Sequence, residues 1–318
     1  MNCIRCKSKN VIKKGKRKTS YKTKQIYYCK NCKKYFTCKG FLNKKYPANV
    51  IIKALYYYNQ GYSLEKTSKL VNLRFKVKTS KSSIQRWLVE FSDICSFKKI
   101  RKKVFKDFKK GKVVFVKIFK HSGLDYVFRY HLGKLGFYAA IYPGLVSYIK
   151  RFEEDCPDEM FEGGLRCSYI KFQIDLNMSS HKNQACSLAE LALKDFKNNR
   201  KRHELVEEFM LINDSATVAC EVPVWFWDKK LNVGISGHID ILQIRKDKIY
   251  VLDYKPDADK QNAHKVASQL YLYARGLSFR SNVALKMFRC GWFDDRIYYE
   301  FDPSEVKTQF KFFKTKKS

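Results

Sequence analysis

An alternation of apolar and charged residues across residues 234–255 predicts a β-hairpin that carries a functional site. In its first strand, isoleucines share one face and Asp240 lies on the other. A polar turn leads to a return strand in which Asp253 and Lys255 project on the same side. Charges buried beside isoleucine and valine are costly unless they pair or bind a metal. The departure from the apolar pattern therefore indicates a candidate site.

Residues 45–95 have the apolar spacing of three short helices. Ser63 is expected to cap the second helix, and Ser80 or Ser82 the third. A basic loop over residues 74–78 separates these two helices.

Beyond residue 113 the pattern predicts a mixture of strands and helices. The expected elements are a buried strand at 113–119, one long helix at 185–211, a strand at 221–227 entering the hairpin, a helix at 260–277, and strands at 283–293 and 296–301. The pattern assigns no element to residues 121–148, and the acidic patch near residue 155 is interpreted as a surface loop. The basic tail from residue 307 is expected to fray.

The charge balance adds a class of partner. The chain has 318 residues, enough for about two domains, and 65 Lys+Arg against 30 Asp+Glu give a formal net charge of +35. Such an excess favours a polyanion, and we expect DNA, because neutralised phosphates release counterions. The alternative is a generally basic surface.

Two absences in the sequence bear on location. It has no apolar run long enough to span a bilayer and no apolar segment at its start, so we expect a cytoplasmic protein without a membrane partner. In that compartment its 11 cysteines are expected to be metal ligands or buried thiols rather than disulfides.

Four of these cysteines have the spacing of a zinc site. Cys3 and Cys6 form one Cys-x2-Cys pair, Cys29 and Cys32 form another, and 22 residues separate the pairs. Each pair offers two thiolates from one tight turn, which suits tetrahedral structural Zn2+. Unrelated thiols are the alternative, and Cys38 is expected to lie outside the set.

The cysteine pairs followed by three helices resemble the zinc ribbon and helix-turn-helix of insertion-sequence transposases. By that resemblance the third helix would contact DNA bases through residues near its start, namely Lys81, Ser82, Ser83, Gln85 and Arg86. A helical bundle with a solvated basic face remains the alternative.

A second resemblance covers residues 185–300. The set that carries it is His203, Gly237-His238-Ile239-Asp240, Asp253-Tyr254-Lys255 and Gln269-x3-Tyr273, with twelve residues between Asp240 and Asp253. This set resembles the RecB-like branch of the PD-(D/E)XK nucleases. The resemblance implies an α/β restriction-endonuclease-like domain with a mixed central sheet.

The resemblance also implies roles for these side chains. Asp240 and Asp253 would ligate Mg2+ or Mn2+, and His203 would be a further ligand. Lys255 would position the attacking water or stabilise negative charge in the transition state. Two further residues, Gln269 and Tyr273, would hold DNA or shape the site. Glu221 is either another metal ligand or a structural acid.

The chemistry is consistent with these roles. Phosphodiester hydrolysis needs an activated water and stabilisation of developing negative charge, which carboxylate-bound Mg2+ and a nearby lysine provide. Two features depart from the family. Pro256 follows the lysine and would end the strand early, and the cysteines after residue 150 lack the spacing of an iron–sulfur cluster.

The complete prediction is a multidomain chain. It comprises a zinc ribbon (1–40), an all-α helix-turn-helix domain (45–95), a basic linker (96–112), a nuclease-like domain (113–305) and a basic tail (306–318). The expected function is metal-dependent cleavage of DNA, by an endonuclease or an exonuclease. One alternative is a transposase-like enzyme with three carboxylates, which needs a third acid on a downstream helix, a position that Glu300 and Glu305 fit poorly. The other is a DNA-binding regulator with an inactive nuclease domain.

Overall fold

The computed structural model describes residues 2–3, 5–18, 23–36, 45–105, 111–170, 173–175, 177–194, 201–229 and 232–309. The chain divides into two compact units. Unit 1 comprises Met1–Tyr58 and Tyr62–Glu90, and unit 2 comprises Asn59–Gly61 and Phe91–Ser318.

Unit 1 begins with a small antiparallel sheet. Its strands are β1 (Val11–Lys18), β2 (Thr23–Cys29) and β3 (Tyr35–Phe36), in that order across the sheet. Among the described residues, the buried cluster beside it consists of two cysteines and one aromatic residue, Cys3, Cys29 and Phe36. Because this cluster is so small, apolar burial contributes little to holding the sheet.

Three helices follow in unit 1: α1 (Ala48–Asn59), α2 (Leu64–Phe75) and α3 (Lys81–Glu90). The Ser63 hydroxyl accepts the Lys66 backbone N–H at 3.2 Å, as predicted for the cap of α2. Of the two candidate caps of α3, Ser80 is used, since its hydroxyl accepts the Ser83 N–H at 3.2 Å.

The loop between α2 and α3 starts later than predicted. The α2 helix continues through Phe75 and ends where Lys76 adopts a left-handed conformation with φ 51°. The Lys76 N–H then binds the Asn72 carbonyl, which closes the last turn. The Asn72 side chain also binds Thr79, so the loop is held to the helix by hydrogen bonds.

Unit 2 contains helices and a large mixed sheet. The elements before the hairpin are α4 (Arg101–Val104), β4 (Val114–His121), β5 (Leu124–His131), α5 (Leu132–Phe137), α6 (Pro143–Lys150), α7 (Glu159–Glu162), β6 (Leu165–Arg166), β7 (Gln173–Asp175), β8 (Met178–His181), α8 (Gln184–Ala192), α9 (Arg202–Asn213) and β9 (Thr217–Asp228). The hairpin and the elements after it are β10 (Val233–Arg245), β11 (Lys248–Tyr254), α10 (Ala263–Ser281), β12 (Phe288–Phe293), β13 (Tyr298–Phe301) and β14 (Lys307–Gln309).

The large sheet has nine strands within the described residues. Eight follow the order β4-β5-β9-β10-β11-β12-β13-β8, and β6 adds to β10. The pair β10 and β11 forms the predicted hairpin, and β11 runs parallel to β12. The core lies between this sheet and helices such as α6 and α10.

One side of β10 changes its neighbour along the strand. It pairs with β11 over residues 241–245 and with β6 at residues 235–236. Residues 237–240 lie between these two pairings and pair with neither β11 nor β6. The sheet is therefore interrupted beside Asp240.

Two predicted elements differ from the structure. The helix expected at 185–211 is two helices, α8 and α9, since α8 ends at Ala192 with Leu193 as its C-cap and α9 begins at Arg202. The strand expected to be buried at 113–119 is β4, an edge strand whose Val116 and Ile118 are exposed. Apolar composition alone does not distinguish an edge strand from a central one.

Other intervals show order that the sequence pattern did not predict. Within the proposed linker, Ser96–Lys99 is a 3-10 helix and α4 follows, with Phe97 and Val104 buried. The first part of the predicted tail, β14, pairs with β7. The unassigned interval 121–148 contains β5, α5 and part of α6.

None of the helices in the described part of the chain combines the length and apolar character needed to cross a membrane.

Candidate functional site

The four predicted zinc ligands lie together in unit 1. Their sulfur atoms are all within 4.8 Å of one another, so this cluster could bind a zinc ion. The Sγ atoms of Cys3 and Cys32 are 3.6 Å apart, and those of Cys6 and Cys29 are 3.5 Å apart. Cys38 lies outside the described residues.

The thiols of this cluster have different acidities. A hydrogen bond with the Cys6 backbone lowers the pKa of Cys3 to about 6, although burial opposes the shift. Burial raises the pKa of Cys32 to about 12, and its hydrogen bond with Cys3 adds to the effect. A bound cation would favour four thiolates and remove that penalty.

The predicted DNA-contacting residues lie along one side of α3. Four of them, Lys81, Ser82, Gln85 and Arg86, are exposed, and Ser83 is partly exposed. The opposite side buries Ile84, Trp87 and Leu88. The helix therefore presents a polar, basic surface, and its contact with DNA stays a prediction.

In unit 2 the structure brings together three side chains from three elements. His203 on α9, Asp240 on β10 and Asp253 on β11 each offer a ligand atom, and these atoms lie within 4.8 Å of one another. His203 Nδ1 is 3.7 Å from Asp240 Oδ2. The hairpin register pairs residues 241 and 252, so the two aspartates neighbour each other across adjacent strands.

Asp253 is fully buried, and neither carboxylate oxygen has a hydrogen-bond partner among the described residues. Its closest charged neighbour is Lys255, whose Nζ forms an ion pair 2.6 Å from Asp253 Oδ2. Burial raises the pKa of Asp253 well above its usual value, and the charge of Asp240 adds to the shift. The fully buried carboxylate of Asp253 and the partly exposed carboxylate of Asp240 supply the oxygen ligands that a hard divalent cation prefers.

Neighbouring charges also shift the pKa values of Asp240 and Lys255. Burial opposes ionisation of Asp240, yet the neighbouring His203 imidazole and the charge of Lys255 lower its pKa to about 2. Burial likewise disfavours the Lys255 ammonium, but the charges of Asp253 and Asp240 outweigh it and raise the pKa of Lys255. Lys255 is therefore a cation at neutral pH.

Two glutamates extend the acidic character of the site beyond this cluster. Burial and the charge of Asp240 raise the pKa of Glu221 to about 8. Glu207, one turn after His203, is buried, and burial together with the charge of Glu221 raises its pKa well above the usual value. Glu207 was not among the predicted ligands, and its place one turn from His203 was the available signal.

Gln269 and Tyr273 lie beside the gap in the sheet. Gln269 Nε2 donates a hydrogen bond to the Tyr273 hydroxyl at 2.8 Å. A Cβ atom on Gly237 would lie only 2.5 Å from Cε1 of the Tyr273 ring. The glycine thus permits the tyrosine to lie against β10.

A cavity of about 160 Å³ opens at this place. Its lining includes Asp240, Glu221, Gln269, Tyr126 and Arg166. Tyr126 and Arg166 were not predicted site residues, because β5 and β6 carry no sequence motif that links them to the hairpin.

A larger cavity, of about 550 Å³, contains none of the predicted site residues. It lies between α6 and the end of α10 and includes Arg151 and Arg280. The smaller cavity is the candidate site, because the carboxylates of Asp240 and Glu221 line it.

No protein-family model, curated protein or solved structure matches the chain.

Proposed function

We propose that the chain is a Mg2+- or Mn2+-dependent deoxyribonuclease that hydrolyses phosphodiester bonds. The observation that carries the proposal is the convergence of His203, Asp240 and Asp253 within 4.8 Å, with Lys255 Nζ 2.6 Å from Asp253. The RecB-like arrangement expected from the sequence has these side chains in the same roles.

Each side chain of the proposed metal site has its own role. Asp240 and Asp253 would hold the metal through oxygen atoms, and His203 would add a nitrogen ligand. When bound, the metal would lower the pKa of a water molecule and polarise the phosphate. Glu221, which lines the same cavity as Asp240, is the candidate for a further carboxylate ligand.

Lys255 supplies a fixed positive charge. Its ammonium stays protonated beside two aspartates, so it can stabilise negative charge that develops on the phosphate oxygens. The hydrogen-bonded pair of Gln269 and Tyr273 would hold the DNA strand at the wall of the cavity.

We further propose DNA as the partner and unit 1 as a targeting module of the zinc-ribbon and helix-turn-helix kind. The net charge of +35 supports a polyanionic partner. The exposed polar side of α3 and the four clustered cysteines of unit 1 support the module.

The transposase-like alternative receives less support. Its candidate third acid, Glu300, accepts a hydrogen bond from the Tyr298 hydroxyl at 2.8 Å and is not a member of the described metal-binding group.

The test is incubation of purified protein with linear, circular and single-stranded DNA in Mg2+, Mn2+ or EDTA. Wild-type protein should cleave DNA only with a divalent metal, and Asp253→Asn and Lys255→Met should each lower the rate by at least about 100-fold. His264→Ala, an exposed histidine at the start of α10, is a control that should retain full activity. Metal-dependent cleavage that persists in both site variants would refute the proposal. Salt-sensitive binding without any cleavage would instead favour the inactive regulator.

A further inference from the structure

We propose that Arg166 and Tyr126 form a binding subsite for a phosphate that flanks the scissile phosphate of the nucleic-acid strand. This inference rests on the proposed nuclease function and identifies where the strand enters the site. Its basis is the cavity of about 160 Å³, which Arg166, Tyr126 and Asp240 all line.

The position of Arg166 follows from strand pairing. β6 runs parallel to the start of β10, with Arg166 opposite Ser236, and both residues line the cavity. Asp240 lies four residues further along β10, about 13 Å at the usual strand rise. A strand whose scissile phosphate lies at Asp240 would therefore bring a neighbouring phosphate within reach of the long Arg166 side chain.

Arg166 forms no ion pair with a carboxylate among the described residues. Its guanidinium NH2 donates a hydrogen bond to the Tyr126 hydroxyl, and it lies 5.8 Å from the centre of the Tyr126 ring. The remaining donors of its planar fork are suited to a phosphate, which arginine can bind through two parallel hydrogen bonds. A cation without a carboxylate partner at the wall of a polar cavity favours an anionic ligand.

A series of aromatic contacts holds Tyr126 in place. Its ring stacks on His238, with centroids 3.5 Å apart and planes inclined by 6°. His238 Nε2 and His121 Nδ1 are hydrogen-bonded at 2.8 Å, and His121 Nε2 lies 3.2 Å from Asp158 Oδ1. Tyr126 and His238 are therefore positioning residues that fix the direction of the Arg166 guanidinium.

The other charges that line the cavity support this assignment. Arg166 is the cation among the lining residues, and the carboxylates Asp240 and Glu221 are on the side where the metal is proposed to bind. A phosphodiester strand could thus place one phosphate at the metal and the next at Arg166. This arrangement would select a polynucleotide over a single phosphate monoester.

The test combines protein variants with single neutral phosphates in the DNA. Each oligonucleotide carries one methylphosphonate, and its position is moved one phosphate at a time along the whole strand, which removes one charge at a time and needs no known cleavage point. They are assayed for cleavage in Mg2+ and for binding in Ca2+ with wild type, Arg166→Met, Arg166→Lys and Tyr126→Phe. Arg245→Met is the matched control, because Arg245 also lies over a tyrosine ring, at 4.9 Å from Tyr250, but does not line the cavity.

We expect Arg166→Met to raise KM by about 10- to 100-fold with a smaller change in kcat, since a charged hydrogen bond is lost in both the bound and the transition state. Arg166→Lys and Tyr126→Phe should have intermediate effects. One methylphosphonate position should weaken wild-type binding by a similar factor and add nothing further in Arg166→Met. Arg245→Met should behave as wild type at every position.

Two outcomes would overturn the subsite. One is wild-type kinetics for Arg166→Met. The other is that every methylphosphonate position weakens DNA binding by Arg166→Met by the same factor as it weakens binding by the wild type. If the wild type binds with the expected single-position pattern but never cleaves, the nuclease function fails and the subsite stands. If the wild type cleaves and Arg166→Met is unaffected, the subsite fails and the nuclease function stands. Thermal melting of each variant identifies a loss of activity caused by misfolding.

Discussion

The two candidate metal sites of this chain are built in opposite ways. In unit 1 the cysteines are close neighbours in sequence within each pair, and they form most of the small buried cluster. In unit 2 the ligands come from three separate elements, α9, β10 and β11, and the sheet beneath them has an extensive apolar core.

The difference indicates that a metal in unit 1 would stabilise the fold, whereas a metal in unit 2 would bind to a domain that is already folded. Within its described residues, the small sheet of unit 1 buries only a small apolar cluster, so zinc binding and folding should be coupled. The acidic site of unit 2 is already assembled by the apolar core, and its buried carboxylates lower the free energy of unfolding when no metal is bound. Metal removal should therefore unfold one site and leave the other folded but strained.

The largest expected effect is loss of zinc from unit 1. Cys29→Ser, or chelation of the wild type, should unfold the small sheet, because structural zinc contributes on the order of 10 kcal/mol to comparable small domains. Metal analysis would measure the loss of zinc, and proteolysis within residues 1–40 would report the unfolding. The matched control is Cys38→Ser, which should retain a full complement of zinc.

The contrast also predicts what unit 2 does in the same experiment. Its melting transition should be unchanged in Cys29→Ser, since its core does not contain the zinc site. A Cys29→Ser protein that keeps its zinc and its protease resistance would contradict the structural role of the cluster.

The second effect is a pH dependence of unit 2 that a divalent metal removes. A carboxyl with a higher pKa in the folded chain than in the unfolded chain holds its proton more tightly when folded, so stability falls as pH rises between the two values. For Glu221 that interval runs from 4.5 to about 8, and Asp253 and Glu207 shift in the same direction. In EDTA the free energy of unfolding should fall by on the order of 2–3 kcal/mol across this interval, after allowance for partial solvent access.

Added Mg2+ should flatten this slope, because a bound cation keeps the carboxylates ionised in the folded state. Asp253→Asn should also reduce the slope in EDTA, since it removes one of the raised carboxyls. Denaturant unfolding at several pH values, with and without Mg2+, measures both changes. Equal slopes under the two conditions would mean that the acidic cluster binds no divalent metal.

The comparison also explains how much could be predicted from the sequence. The cysteine pairs and the hairpin were predictable because their spacing is local and their turn residues are distinctive. The approach of His203 to the hairpin was expected only through a resemblance, and the structure brings these residues together. The cap at Ser63 was likewise predictable from its neighbours along the chain.

What remained hidden depends on contacts between distant parts of the sequence. Arg166 reaches the cavity through a two-residue strand that pairs with β10 about 70 positions later, and neither residue of β6 has a distinctive pattern. The hydrogen bond between His121 and His238 joins residues 117 positions apart. The spacing of apolar residues in one sequence does not show which strands pair, because the same apolar pattern is compatible with many partner strands.

A smaller effect is expected at Gly237, where β10 meets α10. Gly237→Ala would place a methyl group 2.5 Å from the Tyr273 ring, so the ring must move away from Gln269 or the strand must shift. We expect a loss of about 1–3 kcal/mol in the free energy of unfolding and reduced cleavage. The control is Gly136→Ala in α5, where no atom lies within 4 Å of the added Cβ and stability should be unchanged or slightly raised.

The smallest expected effect concerns DNA binding by α3. If Gln85 and Arg86 contact bases, Arg86→Ala should weaken binding to a duplex enriched from a random pool by about tenfold, and weaken random duplex much less. Lys69→Ala on α2 is the control, because Lys69 is also exposed and cationic but pairs with Glu65 at 3.0 Å. Equal losses from Lys69→Ala and Arg86→Ala on both duplexes would indicate a uniformly basic surface that binds phosphates alone. A selective loss from Arg86→Ala would make unit 1 the part of the chain that chooses the DNA, and unit 2 the part that acts on it.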